Sequence, residues 1–160
     1  MSNEKKAHWR DKLAESRAAL NEFVATLSKD DWQKIVFSEG NDWTIHTIMT
    51  HLMESEGGMS VQIHKTRKGK ETIPDGFDLA RWNAGLKERA GEPTTDELLA
   101  QMEQTRAKTL AVMESLEDDD WEKVGRHPSR GLITIEQYYE TIHAHELTHV
   151  EDAKKALKRD

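Results

Sequence analysis

LSKDDWQK at residues 27–34 returns as LEDDDWEK at residues 116–123, and this repeat decides the fold. Each copy follows a long amphipathic segment. Each precedes a Thr-Ile pair, Thr44-Ile45 in the first half and Thr134-Ile135 in the second. Outward from the two copies, each half runs helix, acidic turn with a tryptophan, loop, helix. Two such helical hairpins joined by a longer connection make a four-helix bundle. Helical hairpins look alike in general; the shared Asp-Asp-Trp tips the comparison towards duplication.

The apolar spacing supplies the helices. Trp9, Leu13, Ser16, Leu20, Val24 and Leu27 recur at steps of three and four, which predicts a first helix over about residues 6–27. Thr44 is a good N-cap for a second helix, whose stripe is Ile45, Ile48, Leu52, Met59 and Ile63. Asp78 can cap a short segment, LARWNAGLKER, that ends before Gly91 and Pro93. A third helix starts at the capping box Thr94–Glu97 and carries Leu98, Met102, Thr105, Thr109, Val112 and Leu116. A fourth starts at Thr134 with Gln137 and carries Ile135, Tyr138, Ile142, Ala153 and Ala156. Pro74, Pro93 and Pro128 fall between the periodic stretches. No stretch alternates β-branched and polar residues for long, so an all-α fold without significant sheet is expected.

Composition narrows the function classes. A chain of 160 residues suits one domain spanning 1–160. Only 36% of the residues are hydrophobic, but Trp9, Trp32, Trp43, Trp82 and Trp121 can each bury a large surface. No apolar run approaches the ~20 residues of a membrane span, so no membrane partner is expected. MSNEKKAHWRDK at the N-terminus lacks the apolar core of a signal peptide. The absence of cysteine excludes disulfides, thiolate metal sites and cysteine nucleophiles, and it suits a cytoplasmic location. The net charge is −7, from 30 acids and 23 bases. Such a surface repels phosphates unless a basic patch intervenes, so no nucleic-acid partner is expected.

The histidines carry the chemistry. His145 and His149 lie four apart in IHAHELTHVED, one turn above each other on the face of Tyr138 and Ile142. That spacing lets two imidazoles reach one metal ion. Without a third ligand it equally describes two histidines hydrogen-bonded at a helix edge. His51, one turn after Ile48 on the second helix, is the best third ligand, although it projects from the side of its stripe. Three histidines from two helices would leave a coordination position open, the catalytic pattern for zinc. HELTH also spells the HExxH of zinc proteases, with Glu146 as base, but the context is missing. The metzincin extension needs a glycine and a third histidine where Asp152 and Lys155 stand, and only eleven residues follow His149 to supply a later acid.

These stretches together resemble the DinB-like superfamily of small four-helix metalloproteins. The resemblance rests on DWTIHTIMTHLMESE at 42–56, RWN at 81–83 and HPSRGLITIEQYYETIHAHELTHVEDAKKAL at 127–157, and covers most of the chain from about residue 9. It implies His51, His145 and His149 as metal ligands. It implies an up-down-down-up bundle with a crossover between helices 2 and 3 that carries a short extra helix, and it implies a homodimer. Some members resemble thiol S-transferases or mycothiol-dependent isomerases that use a divalent metal.

Other residues have competing roles. Gly58, seven after His51 and on its face, offers space beside the metal, or with Gly57 marks a close crossing or the helix end. Asn83 could orient substrate or cap the crossover segment. Tyr138 could reach the pocket or serve the core. Glu146 could fix an imidazole tautomer or pair with a basic residue. Lys65, Arg67, Lys68 and Lys70 could attract an anionic thiol, though a solvated helix end explains them better. His8, His46, His64, His127 and His143 are not expected as ligands.

Two functions remain in competition. One is an enzyme that activates a small-molecule thiol or water at the three histidines, for S-transfer, isomerisation or hydrolysis of a small-molecule substrate. With no cysteine in the chain, the thiol would be a low-molecular-weight cosubstrate. Imidazole suits nickel, zinc, copper and iron; nickel or zinc is the expected ion. The other is a metal- or ligand-binding stress-response module without catalysis. A fourth ligand from Glu54, Glu146 or Asp152 would close the site and favour that second function.

Overall fold

The computed structural model describes residues 1–39 and 41–159. Four long helices form the bundle: α1 (Ser2–Val24), α2 (Ile45–Arg67), α5 (Thr95–Glu114) and α6 (Ile135–Ala156). Two short helices, α3 (Leu79–Ala84) and α4 (Leu86–Ala90), lie in the connection between α2 and α5. The expected single short helix is therefore two, parted at Gly85.

The predicted starts are made by side-chain caps. Thr44, Asp78, Thr94 and Thr134 accept from the N–H of Thr47, Arg81, Glu97 and Gln137. At Thr134 the Gln137 side chain also returns to the Thr134 N–H at 2.8 Å, completing a capping box.

Helix directions follow from the side-chain pairs. Trp9 meets Glu136 and Arg17 meets Glu146, so α1 and α6 run parallel. Glu56 meets Arg106 and Arg67 meets Ser115, so α2 and α5 run parallel. Arg10 meets Glu114 and Arg17 meets Glu103, so α1 opposes α5. The order is up, down, down, up.

Each copy of the repeated octapeptide forms a 3-10 turn, Asp31–Gln33 and Asp118–Asp120, and buries its tryptophan, Trp32 or Trp121. Each then passes into a feature absent from the expected all-helical chain. Strands β1 (Ile35–Glu39) and β2 (Asn41–Thr44) pair antiparallel, as do β3 (Val124–His127) and β4 (Gly131–Thr134). Both ladders close on the same bond, from the Ile45 N–H to Lys34 O at 3.0 Å and from the Ile135 N–H to Lys123 O at 2.9 Å. Strands of four or five residues are too short to show a period, and an isolated two-stranded ladder is marginal in water. They are held by the helices they abut.

The core is split in two. One apolar cluster contains Leu20, Trp32, Ile48, Leu52, Met102 and Val150; the other contains Leu13, Met59, Met113, Trp121, Tyr138 and Ile142. Between them, on all four long helices, lie four buried charges: Arg17, Glu56, Arg106 and Glu146. No helix of the described residues is long and apolar enough to cross a membrane.

Candidate metal centre

Glu146 and His145 are adjacent on α6 and point into different surroundings. Glu146 receives both Nε and Nη2 of Arg17 at 3.2 Å and Nη2 of Arg106 at 3.1 Å. It is the partner of two arginines and is unavailable as a base, so the HExxH spelling has no protease geometry behind it. His145 faces α2 instead, where it meets His51.

The three candidate histidines converge. His145 Nε2 lies 3.1 Å from His51 Nε2 and 3.0 Å from His149 Nε2. All three ligand atoms lie within 4.8 Å of one another. A neutral imidazole nitrogen carries either one proton or one lone pair, so at most one of these two contacts can be a well-formed hydrogen bond. A single cation satisfies all three lone pairs together. Nitrogens held at ~2.0–2.1 Å from an ion stand about 2.9–3.4 Å apart, which fits the two contacts made by His145.

The electrostatics favour neutral rings. Burial pushes His51 down to about 4 and His145 down to about 3, and the neighbouring histidines add to both shifts. Burial also lowers His149, against the opposing pull of Asp152. The outer nitrogens have weak supports. Ser55 Oγ stands 3.4 Å from His51 Nδ1, and Asp152 Oδ2 stands 3.4 Å from the buried His149 Nδ1 without hydrogen-bond geometry. With Nε2 as the ligand atom, each Nδ1 carries the proton and faces these oxygens.

No carboxylate joins the three nitrogens among the described residues. Glu54 is taken by Arg89, at 2.6 and 3.2 Å. Glu146 is taken by the two arginines, and Asp152 stands behind His149. The cluster is therefore open on one side.

That side is a cavity of about 650 Å³. Phe37 and Trp43 line it from the first strand pair, Ser55 and Gly58 from α2, and Phe77 and Trp82 from the crossover. Trp43 packs edge-on against His51 with ring centres 5.2 Å apart and stacks on Phe37 at 5.5 Å. A second hollow of about 700 Å³ opens where α2 and α5 begin, but none of the three histidines lines it. Its His46 is bonded to the Pro93 carbonyl oxygen at 2.7 Å.

The remaining candidates divide. α2 runs unbroken through Gly57 and Gly58, and Gly58 opens on the cavity. Asn83 lines the cavity too. Tyr138 is a core residue whose hydroxyl donates to the Arg126 carbonyl at 3.0 Å, and burial raises it to about 12. Arg67 pairs with Asp120 at 2.9 Å and caps Ser115, and none of Lys65, Arg67, Lys68 and Lys70 lines the cavity. His127, set aside in the sequence, is on the wall, its Nδ1 accepting from the N–H of Ser129 and Arg130. No local pattern marks that position, because the strand carrying it, Val124–His127, is too short to show a period.

The sequence matches the DinB superfamily model over residues 10–153. No curated protein matches it. Solved structures that share the fold include the following three. YfiT from Bacillus subtilis, described as a probable metal-dependent hydrolase with an unusual four-helix bundle topology, is 20% identical, with a TM-score of 0.72 over 100% of this chain and 91% of its own. The four-helix bundle protein TT2238 is 18% identical, with a TM-score of 0.66 over 96% of this chain and 98% of its own. The colibactin self-resistance protein ClbS, solved in complex with double-stranded DNA, is 16% identical, with a TM-score of 0.73 over 96% of this chain and 95% of its own. ClbS corrects the expectation that nucleic acid is excluded. Net charge sums over a whole surface, whereas DNA needs only a local patch, so an overall −7 does not decide the matter.

Proposed function

The chain belongs to the DinB superfamily, and from that premise we propose that it is a divalent-metal-dependent enzyme acting on a small molecule held in the 650 Å³ cavity. The observation that carries this is the convergence of three neutral Nε2 atoms, 3.0–3.1 Å apart along the cluster, on the cavity wall. His51, His145 and His149 hold the ion. The chemistry a divalent ion supplies there is Lewis acidity, which activates water or a small-molecule thiol near neutral pH. Hydrolysis is the first choice, supported by the likeness to YfiT; thiol transfer is the second, supported by the family.

The chain's own residues prepare the site. Burial keeps the rings unprotonated and ready to bind at neutral pH. Trp43 and Phe37 fix the His51 ring and exclude water from one side. Ser55 stands against the outer nitrogen of His51, and the Asp152 carboxylate keeps His149 more basic than burial alone would. The engagement of Glu54 and Glu146 elsewhere leaves the open side to substrate.

Metal analysis of untagged protein, followed by titration with zinc and nickel, tests the reading. One ion per chain is expected, with affinity collapsing in His51→Ala, His145→Ala and His149→Ala but not in His64→Ala. Full occupancy in His51→Ala would overturn the cross-helix site. Ester and amide hydrolysis and thiol transfer are then compared on the loaded protein. A labelled DNA duplex titrated at two salt concentrations asks whether the DNA partner of ClbS extends to this chain.

A further inference from the structure

The cavity has an unusual electrostatic make-up for a site in so charged a chain. Charged residues are 33% of the sequence, yet among the described residues no lysine or arginine lines it. Its one carboxylate, Glu54, is neutralised by Arg89. Arg89 also lies over the Trp82 ring at 3.8 Å and donates to the Trp82 carbonyl oxygen. Arg130, the other arginine nearby, donates to Thr141 Oγ1 at 2.6 Å and to the Gln137 carbonyl. The rest of the wall is largely aromatic and aliphatic, with Phe37, Trp43, Met59, Ile73, Phe77 and Trp82.

The α2 side of the wall is shaped by a missing side chain at an exposed position. Gly58 lies two helical turns beyond His51 on the same face of α2, about 10 Å along the axis. A Cβ built there meets nothing within 4 Å. Glycine within a helix costs about 1 kcal/mol relative to alanine, and no close approach or turn requires it at this position. What it leaves is open space in the cavity.

We propose that the cavity selects a substrate with a neutral, flat, apolar body, and that the bare Gly58 leaves the room for that body along α2. The inference rests on the histidines as the reacting end. An ion there would draw an anionic group to that end only. A charge further out would lose its water and find no cation on the wall, which is costly. An aromatic body instead gains contact with the rings of Phe77, Trp82 and Trp43.

The test uses the full chain stripped of metal at pH 8 and a matched pair of probes, 4-nitrobenzyl alcohol and 4-nitrobenzoate, titrated by ligand-observed NMR. The alcohol is expected to bind at least tenfold more tightly. Gly58→Leu is expected to weaken the alcohol at least tenfold and Gly58→Ala less than threefold, with zinc affinity unchanged in both. Gly58→Met carries the same expectation if Gly58→Leu loses helical circular dichroism. Equal or tighter binding of the benzoate, no binding of either probe, or parental binding in the filled variants overturns the proposal. Because no metal is present, these results stand apart from the metal titrations. Loss of the metal site with selectivity intact would sink the enzyme reading and leave the neutral cavity.

Discussion

His145 and Glu146 stand side by side in the chain and enter two buried polar clusters built in opposite ways. The ionic cluster is closed on itself. Arg106 grips Glu56 through Nε and Nη2 at 3.1 and 2.9 Å, Arg17 grips Glu146 in the same two-pronged manner, and Thr109 Oγ1 donates to Glu56 at 2.8 Å. Nη1 of Arg106 donates to the Leu13 carbonyl at 2.8 Å. The histidine cluster is the reverse: three nitrogens crowd together and their lone pairs have no common donor. A buried polar group that is fully partnered specifies a fold; one left unpartnered at a cavity wall awaits a ligand.

The largest effect should come from opening the closed cluster. Arg106→Ala would leave Glu56 and Glu146 sharing Arg17 alone in the core. Removing one partner of a buried pair costs about 3–5 kcal/mol, on the order of 10 °C in melting temperature for a chain of this size. Metal-free thermal unfolding measures it. A shift under 2 °C would show that the ionic cluster holds nothing together.

His145→Ala should separate the two clusters by its opposite profile. Its Nε2 touches both other histidines, so its loss removes the centre of the site. Zinc affinity is expected to fall more than about a hundredfold, beyond what outer supports contribute. The metal-free melting temperature should move less than in Arg106→Ala. A larger fall in stability than in Arg106→Ala would make the histidines structural and erase the contrast.

pH sharpens the comparison further. His51 titrates near 6.5 when unfolded and about 4 when folded, and His145 near 6.5 and about 3. Between those values the unfolded chain takes up protons that the folded chain refuses. Stability is therefore highest above pH 6.5 and falls as pH drops through the window from 6.5 towards 4. Metal-free protein should melt lower at pH 5 than at pH 7.5, and His51→Ala and His145→Ala should each flatten that drop. An unchanged drop in both would place the acid sensitivity elsewhere.

Much of this was legible in the chain. The repeat located both turns and both helix starts, because Thr caps and buried tryptophans act locally. The i, i+4 pair and the resemblance named the three histidines. Two features were missed for different reasons. The strand pairs are four or five residues long, and they exist only because helices cover them, so no local period announces them. The ionic cluster did leave a signal. Arg17 sits between Leu13 and Leu20, Glu56 between Leu52 and Met59, Arg106 between Met102 and Thr109, and Glu146 between Ile142 and Val150. Two positive and two negative charges, one on the apolar stripe of each long helix, predict a shared buried layer. Reading each stripe alone hid it.

The smallest expected effect lies at the edge of the open cluster. Asp152 is half-exposed, one turn beyond His149, and its carboxylate raises the His149 imidazole against the burial that lowers it. Asp152→Asn keeps the shape and removes that charge. The His149 ring becomes less basic once that charge is gone, so zinc affinity should fall by about tenfold. Metal-free stability should stay within about 0.5 kcal/mol, because the group is largely solvated. Zinc titration beside thermal unfolding reads both quantities on one sample. If affinity holds while stability falls, Asp152 supports the helix end and not the site.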